Sequence, residues 1–294
     1  MEAPTVGSEA IARGALTRGQ LRWNYRPIFP DVYIAKGGEQ TLAAMTVGAF
    51  LWSQRRATIT GRAAAALHGA TWVRETSPIE MLWRNNHYPP GIIARNERIA
   101  PDEVTVIRGV RVATAARTGF DLARHLPTTT AVAHLGDLAR ATRITKHDLT
   151  YLVDRYPGAR GNNLARSAID LMDAGAESPK ETWLRLVLIK AGLPRPSTQI
   201  RVSDGEFVAY LDMGWEAPMV GLEYDGEHHR LDRRQYVKDI RRAELLDDLG
   251  WHVNKVVNED RPRDVLARTV RALAQRGYAP SPVTRNRILG RGAA

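Results

Sequence analysis

Between Val220 and Val257 the chain reads VGLEYDGEHHRLDRRQYVKDIRRAELLDDLGWHVNKVV, an apolar run, a polar turn, a charged amphipathic stretch and a second apolar run. The periodicities read as strand, helix and strand, with Gly250 stopping a helix that spans roughly Asp232 to Leu249. Upstream, ESPKETWLRLVLIKAGLP carries Ser178 as N-cap, Pro179 at the first helical position and Gly192–Pro194 as the stop. Strands are predicted at TQIRV, FVAYLDMGW and MVGLEYD, and a last helix from about Arg263 to Gln275. The resulting order, α-β-β-β-α-β-α, dictates a three-layer α/β arrangement around a mixed sheet.

With 294 residues the chain is long enough for two or three domains, and 44% apolar with 25% charged residues reads as a folded, soluble protein. No run reaches the roughly 18 apolar residues of a membrane helix. The N-terminus lacks the basic start and apolar middle of an export signal, so a cytoplasmic location and no membrane partner are expected. Cysteine is absent, which excludes disulfides and thiolate metal sites, so any metal must be held by oxygen or histidine. The net charge is +10, and its placement is uneven. Residues 1–172 hold 22 Lys and Arg against 14 Asp and Glu, an excess of 8, whereas residues 173–294 hold 20 against 18. That bias points to DNA as the partner of the first part, against the plainer reading of solubilising arginines.

Near the N-terminus, SEAIARGALTRGQLR reads as a short helical region and WNYRPIFPDVYIA as a hairpin, together a compact winged-helix-like unit. Helices are predicted over residues 40–54 and 60–70, then short strands at IEMLWR, GIIARNE and VTVIRGVRVAT, with Gly109 in a tight turn. A helical stretch follows from RTGFDLARHL to about Leu152, then the loop PGARGNN and one more helix, NLARSAIDLMDAG. No G-x-x-x-x-G-K-[ST] loop occurs, so ATP dependence is not expected within this chain.

The chemistry sits in the second part. Alternation places Glu223 and Asp225 on one face of MVGLEYD, and a hairpin through the EAP turn brings Asp212 toward Glu223. Carboxylates so gathered repel and raise one another's pKa unless a cation neutralises them. Oxygen-only ligands suit Mg²⁺ or Mn²⁺, which engage phosphate and deliver a water nucleophile. Competing readings stay open: Asp225-Gly226 is also a turn signal, and Ser178-x-x-Glu181 is also a capping box. Gln235, Asp239 and Arg242 fall on one helix face, either a second layer behind the acids or a solvated face with an ordinary Asp–Arg pair.

Asp in one strand and Glu-x-Asp in the next resembles the PD-(D/E)XK, restriction-endonuclease-like core. More narrowly, LEYDGEHHR followed by RRQYVKDIRRAELLDDLGWHV is similar to the Vsr-like family of very-short-patch-repair endonucleases, over about residues 175–275. The resemblance implies a metal-dependent DNA endonuclease with Asp212 and Glu223 as metal ligands. Asp225 or His229 would manage the attacking water, Glu181 would complete the site, and Gln235, Asp239 and Arg242 would support it. Asp225 stands where many such nucleases have a lysine, so the positive charge would have to come from Lys238, Arg242 or His229.

In the first part, TITGRAAAALHGA and VIRGVRVATAARTGFDLARHL resemble AbiEi-family antitoxin-like regulators over roughly residues 5–125. This implies a DNA-binding module, with Arg13, Arg18, Arg22 and Arg26 as phosphate contacts. The expected organisation is a winged-helix-like unit at 1–38, an AbiEi-like mixed domain at 39–125, a helical connector at 126–172, a Vsr-like core at 173–280 and a basic flexible tail at 281–294. The expected function is a DNA-binding, Mg²⁺- or Mn²⁺-dependent endonuclease. The alternative is a non-catalytic antitoxin-like transcriptional regulator on a degenerate nuclease fold. Expected protein partners are a second copy of the chain and a toxin–antitoxin or DNA-repair protein.

Overall fold

A computed structural model describes residues 3–85, 87–226, 233–278 and 280–290. The chain divides into two compact units, Met1–Ala174 and Gly175–Ala294, each an assembly of helices on sheet, as the α/β reading expects.

The first unit opens with β1 (Thr5–Val6), α1 (Gly7–Ala12), α2 (Arg18–Asn24), β2 (Tyr25–Phe29) and β3 (Val32–Ala35). The strands form an antiparallel sheet in the order β1-β3-β2, with two helices inserted before the β2–β3 hairpin: a winged-helix-like arrangement. Local chemistry fixes where α2 starts. Thr17 Oγ1 accepts from the Gln20 N–H at 3.1 Å, and Gln20 Oε1 accepts from the Thr17 N–H at 2.8 Å, a complete capping box. Asp31, in the hairpin turn, accepts from the Ser8 N–H at 3.0 Å and so ties the wing to the start of α1. Phe29 and Val32 share a core with Leu42, Ala49 and Phe50 of α3 (Leu42–Trp52).

Beyond α3 lies a five-stranded mixed sheet of β4 (Thr58–Thr60), β5 (Ile79–Leu82), β6 (Ile92–Arg95), β7 (Val104–Ile107) and β8 (Val110–Ala113). Its order is β6-β5-β4-β8-β7. Arg108 and Gly109 both have positive φ, 51° and 79°, as the tight β7–β8 turn requires. The helix α4 (Gly61–Leu67) follows β4 directly, and four more helices follow β8: α5 (Ala115–His125), α6 (Thr128–Thr142), α7 (Lys146–Arg155) and α8 (Asn162–Leu171). The continuous helical stretch expected to Leu152 is thus three helices. Pro127 ends the first, since it offers no N–H to continue it, and Arg143 ends the second in the left-handed conformation at φ 63°.

One buried ionic cluster joins these parts. Asp121 accepts from Thr60 Oγ1 at 2.7 Å, from Arg117 Nε at 3.1 Å and from Arg124 Nη2 at 2.8 Å. Arg117, only 1% exposed, also donates to Glu103 Oε2 at 2.6 Å and to the Arg98 carbonyl at 2.8 Å. The Tyr156 hydroxyl donates to the other oxygen of Glu103 at 2.6 Å.

The second unit runs α9 (Pro179–Lys190), β9 (Ser197–Ser203), β10 (Val208–Trp215), β11 (Val220–Tyr224), α10 (Arg233–Asp248), β12 (His252–Val256), α11 (Pro262–Gln275) and α12 (Pro282–Leu289). The sheet order is β12-β11-β10-β9, with β11 and β12 parallel and the other pairs antiparallel. Leu184 and Leu188 of α9, Met213, Leu222 and Val256 of the sheet, and Leu273 of α11 build one core. Leu245 and Leu246 of α10 pack with Ile200, Val202 and Leu211 in another. In the stretch expected as a basic tail, α12 buries Ile288 in the α9–α11 core.

Replacing Asp121 by Ala leaves the guanidiniums of Arg117 and Arg124 buried beside a cavity. The expected cost is about 3–5 kcal/mol, read as a lower midpoint in urea unfolding.

Candidate functional site

In the second unit, Met213 pairs with Leu222, which brings Asp212 beside the Glu223–Tyr224 backbone. There Asp212 Oδ2 accepts from the Tyr224 N–H at 2.7 Å. Glu223 is 7% exposed and points one oxygen, Oε1, at Arg242 Nη2, 2.8 Å away, without an aligned hydrogen bond. Arg242, on α10, also donates to the Tyr210 carbonyl, which holds it against the sheet. Glu181 is 8% exposed at the first turn of α9. Its N–H donates to the Ser178 Oγ at 3.1 Å, and its Oε2 accepts from the Glu177 N–H at 2.7 Å. The side chain therefore reaches one residue further back than a capping box does.

The three acids share an electrostatic environment that resists ionisation. Burial pushes the Glu223 carboxyl up, the Arg242 and Lys255 charges pull it down, and the Asp212 charge adds to the rise. Asp212 is raised chiefly by burial, against the Tyr224 N–H and Arg242, with Glu177 adding to the rise. Glu181 is raised by burial and by the charges of Asp212 and Glu177, against hydrogen bonds from the Glu177 N–H and Ser178. The Oε1 of Glu223, paired with Arg242 but without an aligned hydrogen bond and beside a second raised carboxyl, fits the demand of a hard divalent cation for oxygen ligands.

Lys255 is a functional candidate the sequence reading missed. It sits opposite Glu223 in the parallel β11–β12 register, and with Glu223, Arg242 and Trp251 it lines a cleft of about 230 Å³. Asp225, in contrast, is exposed one residue beyond β11, where its N–H extends the ladder to the Val256 carbonyl at 2.8 Å. Lys238 is exposed on α10. His229 lies outside the described residues, as do the side chains of Gln235 and Asp239.

In the first unit, Arg13, Arg18 and Arg22 are exposed. Arg18 and Arg22 lie one turn apart on α2, whose buried residue is Leu21, and Trp23 beside them is 70% exposed. Arg26 is partly buried and donates to the Gly38 carbonyl at 2.9 Å, so it braces β2. A separate acidic group, Glu97, Asp121 and His125, brings its ligand atoms within 4.8 Å of one another. Arg124 and Arg117 already occupy that group. The hydrogen bonds of His125 and Arg124 outweigh the effect of burial and hold Glu97 at about 2.

Residues 57–171 match the family described as AbiEi antitoxin C-terminal domain, a stretch that runs from β4 to α8 and contains the Asp121 cluster. The match starts and ends later in the chain than the 5–125 resemblance. Two uncharacterized proteins of Mycobacterium tuberculosis, from strains CDC 1551 / Oshkosh and ATCC 25618 / H37Rv, are similar. Each is 31% identical over 156 residues, 52% of this chain and 58% of the relative. The chain thus spans under two thirds of the length of those relatives. No solved structure matches. Among the described residues no helix is long and apolar enough to cross a membrane.

The raised carboxyls give a signed pH dependence. A carboxyl whose folded-state pKa is raised holds its proton more tightly folded than unfolded, so its contribution is most favourable below the ordinary carboxylate range. It is lost as pH rises from about 4 through the raised value. Stability of the second unit is expected to fall across that window. Glu223→Gln should flatten the slope and stabilise the metal-free protein at pH 7 by roughly 1 kcal/mol. Mg²⁺ at about a hundredfold its Kd should add about 2.7 kcal/mol to the wild type at pH 7 and little to the variant, read by thermal melts.

Proposed function

We propose that this chain is a DNA-binding regulator of the antitoxin type, docking on duplex DNA through its N-terminal winged-helix-like unit. The observation that carries this reading is α2, whose exposed residues include Arg18, Arg22 and Trp23 beside the β2–β3 hairpin. Arginines so placed neutralise phosphates, and an exposed indole beside them supplies an apolar contact to sugar or base. The AbiEi match over residues 57–171 supports a toxin–antitoxin setting. The expected behaviour is salt-dependent binding of duplex DNA. Arg18→Ala and Arg22→Ala should each weaken it roughly uniformly across sequences and lower the salt slope by about 1, measured by fluorescence anisotropy. Wild-type protein with no salt-dependent affinity for duplex DNA would sink this reading.

A second reading, a divalent-metal-dependent phosphodiesterase of the Vsr-like, PD-(D/E)XK kind, is favoured by one observation: buried Asp212 and Glu223 stand together with raised pKa values despite the Arg242 charge. The α-β-β-β-α-β order around a mixed four-stranded sheet supports it too. Asp212 and Glu223 would hold Mg²⁺ or Mn²⁺, which when bound supplies Lewis acidity at a phosphodiester and an activated water. Lys255 and Arg242 bring the positive charge that Asp225 does not, and they can offset charge developing on a phosphate. Arg242 also neutralises Glu223 while no cation is bound, so it has to yield part of that contact to a metal. Glu181, whose side chain accepts from the Glu177 N–H at the start of α9, would complete the site through its charge interaction with Asp212. The test is nicking of supercoiled and mismatched DNA with Mg²⁺ or Mn²⁺, comparing wild type with Asp212→Asn. Intact DNA under conditions where the protein binds it leaves the regulator reading alone standing.

A further inference from the structure

A cleft of about 450 Å³ opens in the first unit between residues 97–98, the helix α5 and residues 155–160. Its described lining includes Arg98, Arg117, Arg124, Arg155 and Arg160, against one carboxylate, Glu97. Most carboxylates that balance Arg117 and Arg155 stand outside this lining: Asp121 and Glu103 for the first, Asp102 and Glu103 for the second. Glu97, the partner of Arg124, is the acid that remains in the cleft, so guanidinium groups outnumber carboxylates there.

Three of these arginines still have capacity. Among the described residues, the side chains of Arg98 and Arg160 make no ion pair, although both are exposed at this cleft. Only their backbone carbonyls are used, accepting from Arg117 at 2.8 Å and from Arg124 at 3.0 Å. Arg124 is 4% exposed, and its Nε–H has no partner, a donor left unsatisfied in a buried setting. The walls are preformed. Gly161 has φ +89°, and a Cβ there would come within 2.5 Å of the Arg124 carbonyl, so the loop lies directly on the end of α5. Tyr156 is stacked on Phe120 and fixed by Glu103, and so holds the other side.

We propose that this cleft binds a phosphorylated small molecule of about nucleotide size, its phosphoryl group held by Arg98, Arg160 and Arg124. Arginine forks match phosphate oxygens in pairs, and the side chains of Arg98 and Arg160 can provide such forks beside the Glu97 carboxylate, which Arg124 already matches. The volume falls in the range of small-ligand sites, roughly 300–1,000 Å³. Duplex DNA is recognised over a broad surface of roughly 1,000–2,500 Å² rather than in a walled recess.

The experiment is calorimetric titration of the full chain at low ionic strength with inorganic phosphate, adenosine 5′-monophosphate and adenosine. Saturable binding of the monophosphate, and none of adenosine, is the expected result. Tighter monophosphate binding assigns a phosphate ester and supports the proposal, whereas equal affinity for the first two assigns free phosphate and overturns it. The double variant Arg98→Gln/Arg160→Gln, which leaves the backbone carbonyls and the Asp121 cluster intact, should bind at least about tenfold more weakly. The exposed pair Arg271→Gln/Arg276→Gln, on α11 and at its C-cap, removes the same charge elsewhere and should bind as the wild type does. The proposal is overturned if the wild type shows no saturation up to about 10 mM. It is overturned equally if adenosine binds as well as its monophosphate, or if the α11 pair loses as much as the cleft pair.

Discussion

The N-terminal unit depends on how a single buried carboxylate, Asp121, is satisfied. A charge with 1% exposure is tolerated only when its lone pairs are filled, and here the donors come from separate parts of the chain. Thr60 supplies one from the end of β4, and Arg117 and Arg124 supply theirs from the turns on either side along α5. Each arginine in turn needs further acceptors. Arg117 finds Glu103 and the Arg98 carbonyl, and Arg124 finds Glu97 and the Arg160 carbonyl. The segments 97–103 and 156–161 are therefore fixed by the same requirement that fixes α5 on β4. Such a network is stable only when complete, because any missing member leaves a buried charge behind.

That network also changes what the charge count means. The first 172 residues carry an excess of 8 positive charges, which suggests a basic surface. Yet Arg62 and Arg95 sit on Glu80, Arg117 and Arg124 on Asp121, and Arg140 on Asp137, all of them buried acids. These arginines are internal cement, and composition cannot separate them from surface charge. What remains outward includes Arg13, Arg18 and Arg22 near the N-terminus, so the basic surface there rests on fewer residues than the count implies. Arg26 illustrates the difference: Arg18 and Arg22 before it are exposed, but its guanidinium braces a carbonyl.

Legibility followed the strength of local rules. Turn chemistry made Gly109 and the β7–β8 hairpin readable, and Ser178 with Pro179 made the start of α9 readable. The strand β4 escaped notice because its three residues, Thr58 to Thr60, are all buried and show no alternation. The α5–α6 break escaped because apolar spacing continues across Pro127. In the second unit, alternation and a short turn were enough to bring Asp212 toward Glu223. Lys255 was not legible in the same way. Its place beside Glu223 is set by a parallel register, which depends on how α10 returns the chain to the sheet and not on any local pattern.

The two acidic groups of this molecule show why proximity of ligand-type atoms is a poor guide to metal binding. Glu97, Asp121 and His125 are the tighter constellation, within 4.8 Å, but guanidinium groups fill it. Glu97 is held at about 2, the sign of a carboxylate whose charge is already matched. A cation entering there would have to expel arginines that hold the fold together. At Asp212 and Glu223 the shift has the opposite sign: burial and mutual repulsion outweigh Arg242 and Lys255, and one oxygen has no aligned donor. Charge is under-compensated in the second group and fully compensated in the first. The direction of the pKa shift therefore separates an acid whose charge is already matched from one whose charge is not, which proximity of ligand-type atoms does not do.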